Sequence, residues 1–283
     1  MIKFTEIQTN ILSELAKFKF LTTSQLHRLG VGKDIPYIRR LAGEMSEGDK
    51  TALLGKMVFG VHPKLGRIEN VYYLTKRGAE FCTDDLRLEP ESVKHPIGKS
   101  TLFEKDYFHR KSTIDFQIYL SKWTATKDFS VDFFDTYFDK IGSNRRDGTS
   151  ESKTKVALEE DKYLMTDGIF QVSTPSNKFL FLFELYNGRD TLRVLNQLKK
   201  HVKAIELGTP SQKYSFPKGH RVVAVFEFET AKKAVIDRVR QDDYFSNMAK
   251  RFLFKSAEEL GKLPFGEQWG LLSGEQTPFL PIT

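Results

Sequence analysis

The stretch that decides the fold is YLMTDGIFQVSTPSNKFLFLFELY, residues 163–186. Tyr163–Val172 is strand-like and carries Met165-Thr166-Asp167-Gly168. Pro175-Ser176-Asn177 is turn chemistry. Lys178–Tyr186 is apolar almost throughout, the pattern of a strand covered on both faces. Glu184 ends that apolar run, and a buried carboxylate carries a desolvation cost unless it has a partner. A hairpin brings Asp167 alongside it. Two adjacent carboxylates repel, and a divalent cation relieves the repulsion. Asp167 and Glu184 are therefore candidate metal ligands and catalytic residues. In the plainer alternative, Asp167 only opens a turn with Gly168 and Glu184 pairs with a lysine or arginine.

Outward from this hairpin the periods alternate. A helical pattern runs from Phe103 to near Trp123 through Phe108, Ile114, Ile118 and Tyr119, and Phe129–Ile141 reads as a strand. Residues 142–155 are almost purely polar and read as a mobile loop. After Asn187-Gly188, Thr191–Leu207 is an amphipathic helix with Leu192, Leu195, Leu198, Val202 and Ile205 inward. His220–Glu229 is one more apolar strand and Thr230–Gln241 one more helix. The order is α-β-β-β-α-β.

The first ninety residues have another organisation. Thr5–Phe18 is a helix with Ile7, Ile11, Leu12, Leu15 and Phe18 on one face and Thr5 as cap. Leu21–Gly30 is a second, short helix, started by its Thr/Ser cluster and stopped by Gly30. Asp34–Met45 is a third, capped by Asp34 with Pro36 in its first turn. Leu53–His62 and Ile68–Leu74 read as strands joined by a turn at Pro63–Arg67, and a closing helix starts at Thr75. Three short helices, a β-hairpin and a closing helix make a winged helix-turn-helix. Such a domain lays its third helix in the DNA major groove and sets its wing on phosphate. Tyr37, Arg39 and Arg40 are the DNA-binding candidates on the helix, and Lys64 and Arg67 those on the wing.

Charge agrees with this assignment. The chain has 283 residues, a net charge of +7 and six histidines. Residues 33–77 hold nine basic and five acidic side chains. A basic balance is compatible with nucleic acid without requiring it. The single Cys82 excludes an intrachain disulfide and a cysteine-based zinc site. No apolar run is long enough to span a membrane, and MIKFTEIQTN lacks the apolar stretch of a signal peptide. A cytoplasmic protein with no membrane partner is expected. The expected organisation is α+β: a winged helix over residues 1–90, a linker over 91–105, and an α/β domain with a central mixed sheet over 106–283.

The order α-β-β-β-α-β, with Asp167-Gly168 followed by Glu184-Leu185-Tyr186, resembles the PD-(D/E)XK nuclease fold. A winged helix ahead of such a domain is similar to the replication-relaxation family of plasmid and conjugative-element proteins, which includes the MobC-type relaxases. The helix motif of that family is matched by His109-Arg110-Lys111-Ser112-Thr113-Ile114-Asp115, and its acidic motif by Thr166-Asp167-Gly168. Glu184–Thr191, Phe252–Ser256 and Trp269 resemble further parts.

The resemblance implies a site-specific DNA nickase or relaxase of a mobile element, acting on double-stranded DNA at an origin-like site, alongside other mobile-element proteins. It implies Mg²⁺ or Mn²⁺ on Asp167 and Glu184, with Asp115 as a third acid. Two positions depart from the pattern. Thr166 replaces the usual proline, and Tyr186 stands where a lysine or aspartate is usual. Lys199 or Lys203, which share a helix face, would then supply the cation, and Tyr186 would be a candidate nucleophile. The competing expectation is a non-catalytic origin-binding replication or transfer accessory protein that keeps only the fold. A third expectation is a transcriptional regulator whose second domain only mediates dimers.

Overall fold

The chain is described from a computed structural model, which covers residues 4–48, 51–97, 103, 106–141, 151–159 and 161–280. It divides into two compact units, Met1–Ile118 and Tyr119–Thr283, and the division falls inside one helix, Tyr107–Ala125.

The first unit opens with α1 (Glu6–Phe18), β1 (Leu21–Thr22), α2 (Thr23–Arg28) and α3 (Ile35–Glu44). Local chemistry starts each helix. Thr5 with Gln8, and Thr22 with Gln25, form capping boxes that satisfy backbone N–H groups from both sides. Asp34 accepts from the Tyr37 N–H, and Pro36 occupies the first turn of α3. On the α1 face read from the sequence Ile11, Leu12, Leu15 and Phe18 are buried and Ile7 is partly buried; Leu26 of α2 and Ile38 and Leu41 of α3 are buried with them.

Four short strands follow: β2 (Leu54–Met57), β3 (Val61–His62), β4 (Gly66–Arg67) and β5 (Val71–Leu74). The first strand expected from the sequence, Leu53–His62, is thus broken into β2 and β3; the second, Ile68–Leu74, is shortened to β5, and β4 lies in the segment read as the turn. The inner strands make an antiparallel sheet in the order β1-β5-β2, and the outer strands pair as a separate ribbon, β3 with β4. In α4 (Lys76–Asp84), Thr75 caps the helix and also donates through its backbone and hydroxyl to the Leu53 carbonyl. Gly78 is required there, because a Cβ would lie 2.0 Å from that same carbonyl oxygen. Cys82 is buried, as expected of a small core residue. Pro90–Ser92 form a single 3₁₀ turn, and α5 (Tyr107–Ala125) leads into the second unit. Phe108 of α5, expected inward, is 43% exposed.

The second unit is mixed α/β. Its strands and helices run β6 (Ser130–Thr136), β7 (Lys140–Ile141), β8 (Glu151–Ser152), β9 (Lys155–Ala157) and β10 (Tyr163–Met165), then β11 (Gly168–Ser173), β12 (Lys178–Tyr186), α6 (Thr191–Leu207) and α7 (Thr209–Lys213). They continue with β13 (Arg221–Phe226), α8 (Glu229–Arg240), β14 (Phe252–Ser256), α9 (Ala257–Lys262), β15 (Trp269–Gly270) and β16 (Gln276–Thr277). A central mixed sheet of seven strands has the order β16-β15-β14-β13-β12-β11-β6. β6, β11 and β12 form an antiparallel meander. β12, β13 and β14 run parallel, with α6 and α8 as the crossovers.

β12 is covered on both faces, as its sequence predicts. Phe181 stacks on Phe170 at 5.0 Å and on Phe279 at 4.8 Å on one side. Leu180 and Leu182 pack with Ile169, Leu164 and Ala204 on the other. The strand read over residues 129–141 is interrupted. Asp139 accepts from the Thr136 N–H and hydroxyl at 2.9 and 2.8 Å, turning the chain between β6 and β7. Of the segment read as a mobile loop, 142–150 lie outside the described residues, whereas Glu151–Ser152 form β8, Lys153 and Thr154 a turn, and Lys155 starts β9. Leu192 is 59% exposed rather than inward, because the buried stripe of α6 runs through Val194, Leu198 and Val202. Among the described residues, no helix is long and apolar enough to cross a membrane.

Candidate functional site

The meander places the two acids. Gly168 of β11 pairs with Phe183 of β12, so Asp167 falls one position further on, beside Glu184. The Asp167 N–H donates to the Phe183 carbonyl at 3.0 Å, and its Oδ2 accepts from the Leu185 N–H at 2.7 Å. Asp167 is half-buried, and Glu184 is 4% exposed, turned toward α6 with Leu180 and Leu182.

α6 supplies the partners of Glu184. His201 Nε2 lies 2.6 Å from Glu184 Oε1, and the Gln197 amide donates to the same oxygen at 3.2 Å. Gln197 also reaches the Met165 carbonyl at 3.1 Å, which ties α6 to β10. His201 is fully buried, and burial pushes its pKa down to about 3 against an opposing pull from Asp167. The imidazole is therefore neutral at ordinary pH, and Nε2–H donates to the carboxylate. His220 is 1% exposed and is also pushed down to about 3, by burial and then by His201 and Arg251. Among the described residues, His201 Nδ1 and His220 Nε2 have no hydrogen-bond partner.

The other residues singled out from the sequence lie as follows. Tyr186 shares the α6-facing side of β12, with its ring 5.0 Å from that of Phe226. Its hydroxyl is buried without a partner among the described residues, and burial followed by Glu184 and Asp167 raises its pKa well above 10. Lys199 pairs with Asp242 at 2.7 Å and Lys203 with Glu159 at 2.8 Å; neither ammonium is directed at the carboxylate pair. Asp115 lies in the first unit, where Gln25, Arg28 and Lys111 hold its carboxylate at 2.7, 2.7 and 3.2 Å. Among the described residues, no group of three or more His, Cys, Asp or Glu is placed to hold a metal ion.

In the first unit, Tyr37, Arg39 and Arg40 lie on the exposed side of α3. The Arg40 guanidinium sits 4.9 Å over the Tyr37 ring and pairs with Glu44 at 2.6 Å. Lys64 and Arg67 are exposed on the β3–β4 ribbon. Arg39 and Arg67 line one concavity together with Thr23, Glu69, Asn70 and Tyr72. The Glu69 carboxylate accepts from the Ser24 N–H and hydroxyl and from the Thr23 hydroxyl, closing the start of α2.

No protein-family model matches the chain, and no curated protein matches it. Among solved structures, a restriction endonuclease FokI is similar at a TM-score of 0.31 and 13% identity, covering 92% of this chain and 45% of that one. FokI bound to DNA is similar at a TM-score of 0.28 and 14% identity over the same shares. The chain thus spans less than half the length of those chains, and likeness at that level carries no inference about its chemistry.

Sequence reading missed Gln197 and His201. Both lie beside the apolar residues Val194, Leu198 and Val202 on α6. Polar residues four apart within a buried stripe need a buried partner. A carboxylate at the end of the preceding apolar strand is such a partner, so the signal was present.

Proposed function

We propose that the protein is a metal-dependent DNA-nicking protein, a relaxase or endonuclease of a plasmid or other mobile element. In this reading the first unit is a winged helix that places α3 in the major groove of an origin-like site, and the second is a PD-(D/E)XK-like unit that cuts one strand. One observation carries the reading. Asp167, just ahead of β11, stands beside Glu184 of β12, the pair held by the Leu185 N–H, the Gln197 amide and a neutral His201. These three donors orient the carboxylates without neutralising them. Mg²⁺ or Mn²⁺ takes one or two carboxylates plus water, so the pair fits such an ion. When bound, the ion would polarise the phosphate and activate water. Asp115 keeps its partners in the first unit and is not needed as a third acid.

A second reading is favoured by a different observation. The position usual for a catalytic lysine holds Tyr186 with a buried hydroxyl, and Lys199 and Lys203 are paired elsewhere. That arrangement suits an origin-binding replication or transfer accessory protein that does not cut.

Supercoiled plasmid carrying the origin of the protein's own replicon separates the two. It is incubated with Mg²⁺, Mn²⁺ or EDTA and the wild type, Asp167→Ala or Glu184→Ala. Open circles that need metal and both carboxylates are expected. Origin binding with no nicking, equal in all three proteins, would establish the second reading.

A further inference from the structure

Beside the carboxylate pair lies a surface that the cutting chemistry does not use. α6 is fastened to the β9–β10 hairpin by Gln197 on the Met165 carbonyl and by Lys203 on Glu159. Arg193, Asn196 and Lys200 are exposed and, at about 100° per residue, form one stripe flanking Gln197. They line a shallow open depression with Asp190, whose carboxylate is engaged by the Arg193 N–H. On the hairpin side, β10 alternates: Leu164 is buried, while Tyr163 and Met165 are 48% and 37% exposed. Lys155 reaches from β9 over the Tyr163 ring at 4.9 Å and is held in turn by Glu151. An aromatic ring supported by a cation is thus exposed on the hairpin that Gln197 and Lys203 tie to α6, with two cations and an amide on that helix.

Exposed aromatics stack bases of any sequence, and flanking cations follow the backbone of a single strand. A duplex presents its phosphates but not its base faces, so an exposed tyrosine beside arginine and lysine suits unpaired nucleotides. We propose that this surface of the second unit binds single-stranded DNA. A base stacks on Tyr163 and Met165, while Arg193 and Lys200 contact phosphates. The proposal rests on the reading of Asp167 and Glu184 as the cutting site, because it supplies the strand that reaches them.

The test is fluorescence anisotropy of a labelled oligothymidine and of a labelled duplex with the full chain in EDTA, where no cutting occurs. Tyr163→Ala is expected to weaken single-strand binding about tenfold, and Tyr163→Phe to leave it unchanged, since stacking needs the ring and not the hydroxyl. Arg193→Gln combined with Lys200→Gln should lower the dependence of log K on log salt by about 1.4, at about 0.7 per single-strand phosphate contact. Tryptophan fluorescence confirms that each variant is folded. Wild-type oligothymidine binding by Tyr163→Ala, or equal weakening on duplex and single strand, would overturn the proposal. Loss of single-strand binding in these variants, with no nicking by the wild type, would overturn the nickase reading and leave this surface standing.

Discussion

Lowering the pH should destabilise the second unit through two side chains. The six histidines of the chain are His27, His62, His95, His109, His201 and His220. Only the last two lie in the second unit, and both are buried with pKa values pushed down to about 3. The free imidazole has a pKa near 6.5. Between those values the unfolded chain holds the proton and the folded chain does not, so stability falls as the pH falls. A pH of 5 lies about 1.5 units below the free value, so at about 1.4 kcal/mol per unit each histidine costs about 2 kcal/mol there. This figure requires only that the folded pKa stay below 5. The two together remove about 4 kcal/mol between pH 8 and pH 5, a large share of the ~5–15 kcal/mol typical of a domain.

Trp123 and Trp269, the only tryptophans, both lie in the second unit, so their fluorescence reports it alone. Urea unfolding at a series of pH values should show the loss in the wild type. His201→Gln and His220→Gln should each remove about half of it; a glutamine at 201 also keeps an N–H donor near Glu184. An identical loss from pH 8 to pH 5 in the wild type and both variants would refute the reasoning.

Three further outcomes are expected. Tyr186→Phe deletes a buried hydroxyl with no described partner, so stability should hold or rise by up to about 1 kcal/mol and nicking should persist; loss of nicking, with a protein–DNA adduct in the wild type, would instead make Tyr186 the nucleophile. Gly78→Ala forces a Cβ against the Leu53 carbonyl oxygen and should cost about 2–3 kcal/mol in the first unit; an unchanged thermal melt by circular dichroism would contradict the packing. Lys255 is fully buried, donates to the carbonyls of Pro264 and Glu267, and is pushed by burial down to about 8. Since an unfolded lysine holds its proton to about 10.4, wild-type stability should rise relative to Lys255→Met between pH 8 and pH 10, and a flat difference across that window would refute it.

Much of the fold was legible because its signals are local. Thr5, Thr22 and Asp34 start their helices by hydrogen bonds within three residues, and Phe179–Leu185 identifies a strand with two covered faces. What failed depends on packing at a distance. The phase of α6 is set by Val194, Leu198 and Val202, so Leu192 turns outward although it fits the same apolar count. The same phase carries Gln197 and His201 to Glu184 and turns Lys199 and Lys203 toward Asp242 and Glu159. A pair of lysines four apart looked like catalytic cations because their spacing is right. Spacing says which residues share a face, and only the buried stripe says which face meets the site.

The choice of histidine at that position has a chemical consequence. A lysine in place of His201 would enter the site as a cation and cancel part of the charge on Asp167 and Glu184. An exposed histidine would do so at mildly acid pH. Full burial holds His201 neutral, so it gives Glu184 a hydrogen bond and no charge. The burial that threatens stability at pH 5 therefore preserves, near neutral pH, the negative charge a divalent cation needs. Only the unfolded chain changes its protonation near pH 6.5; the folded imidazole stays neutral down to about 3, so the hydrogen bond to Glu184 is the same on both sides of that pH.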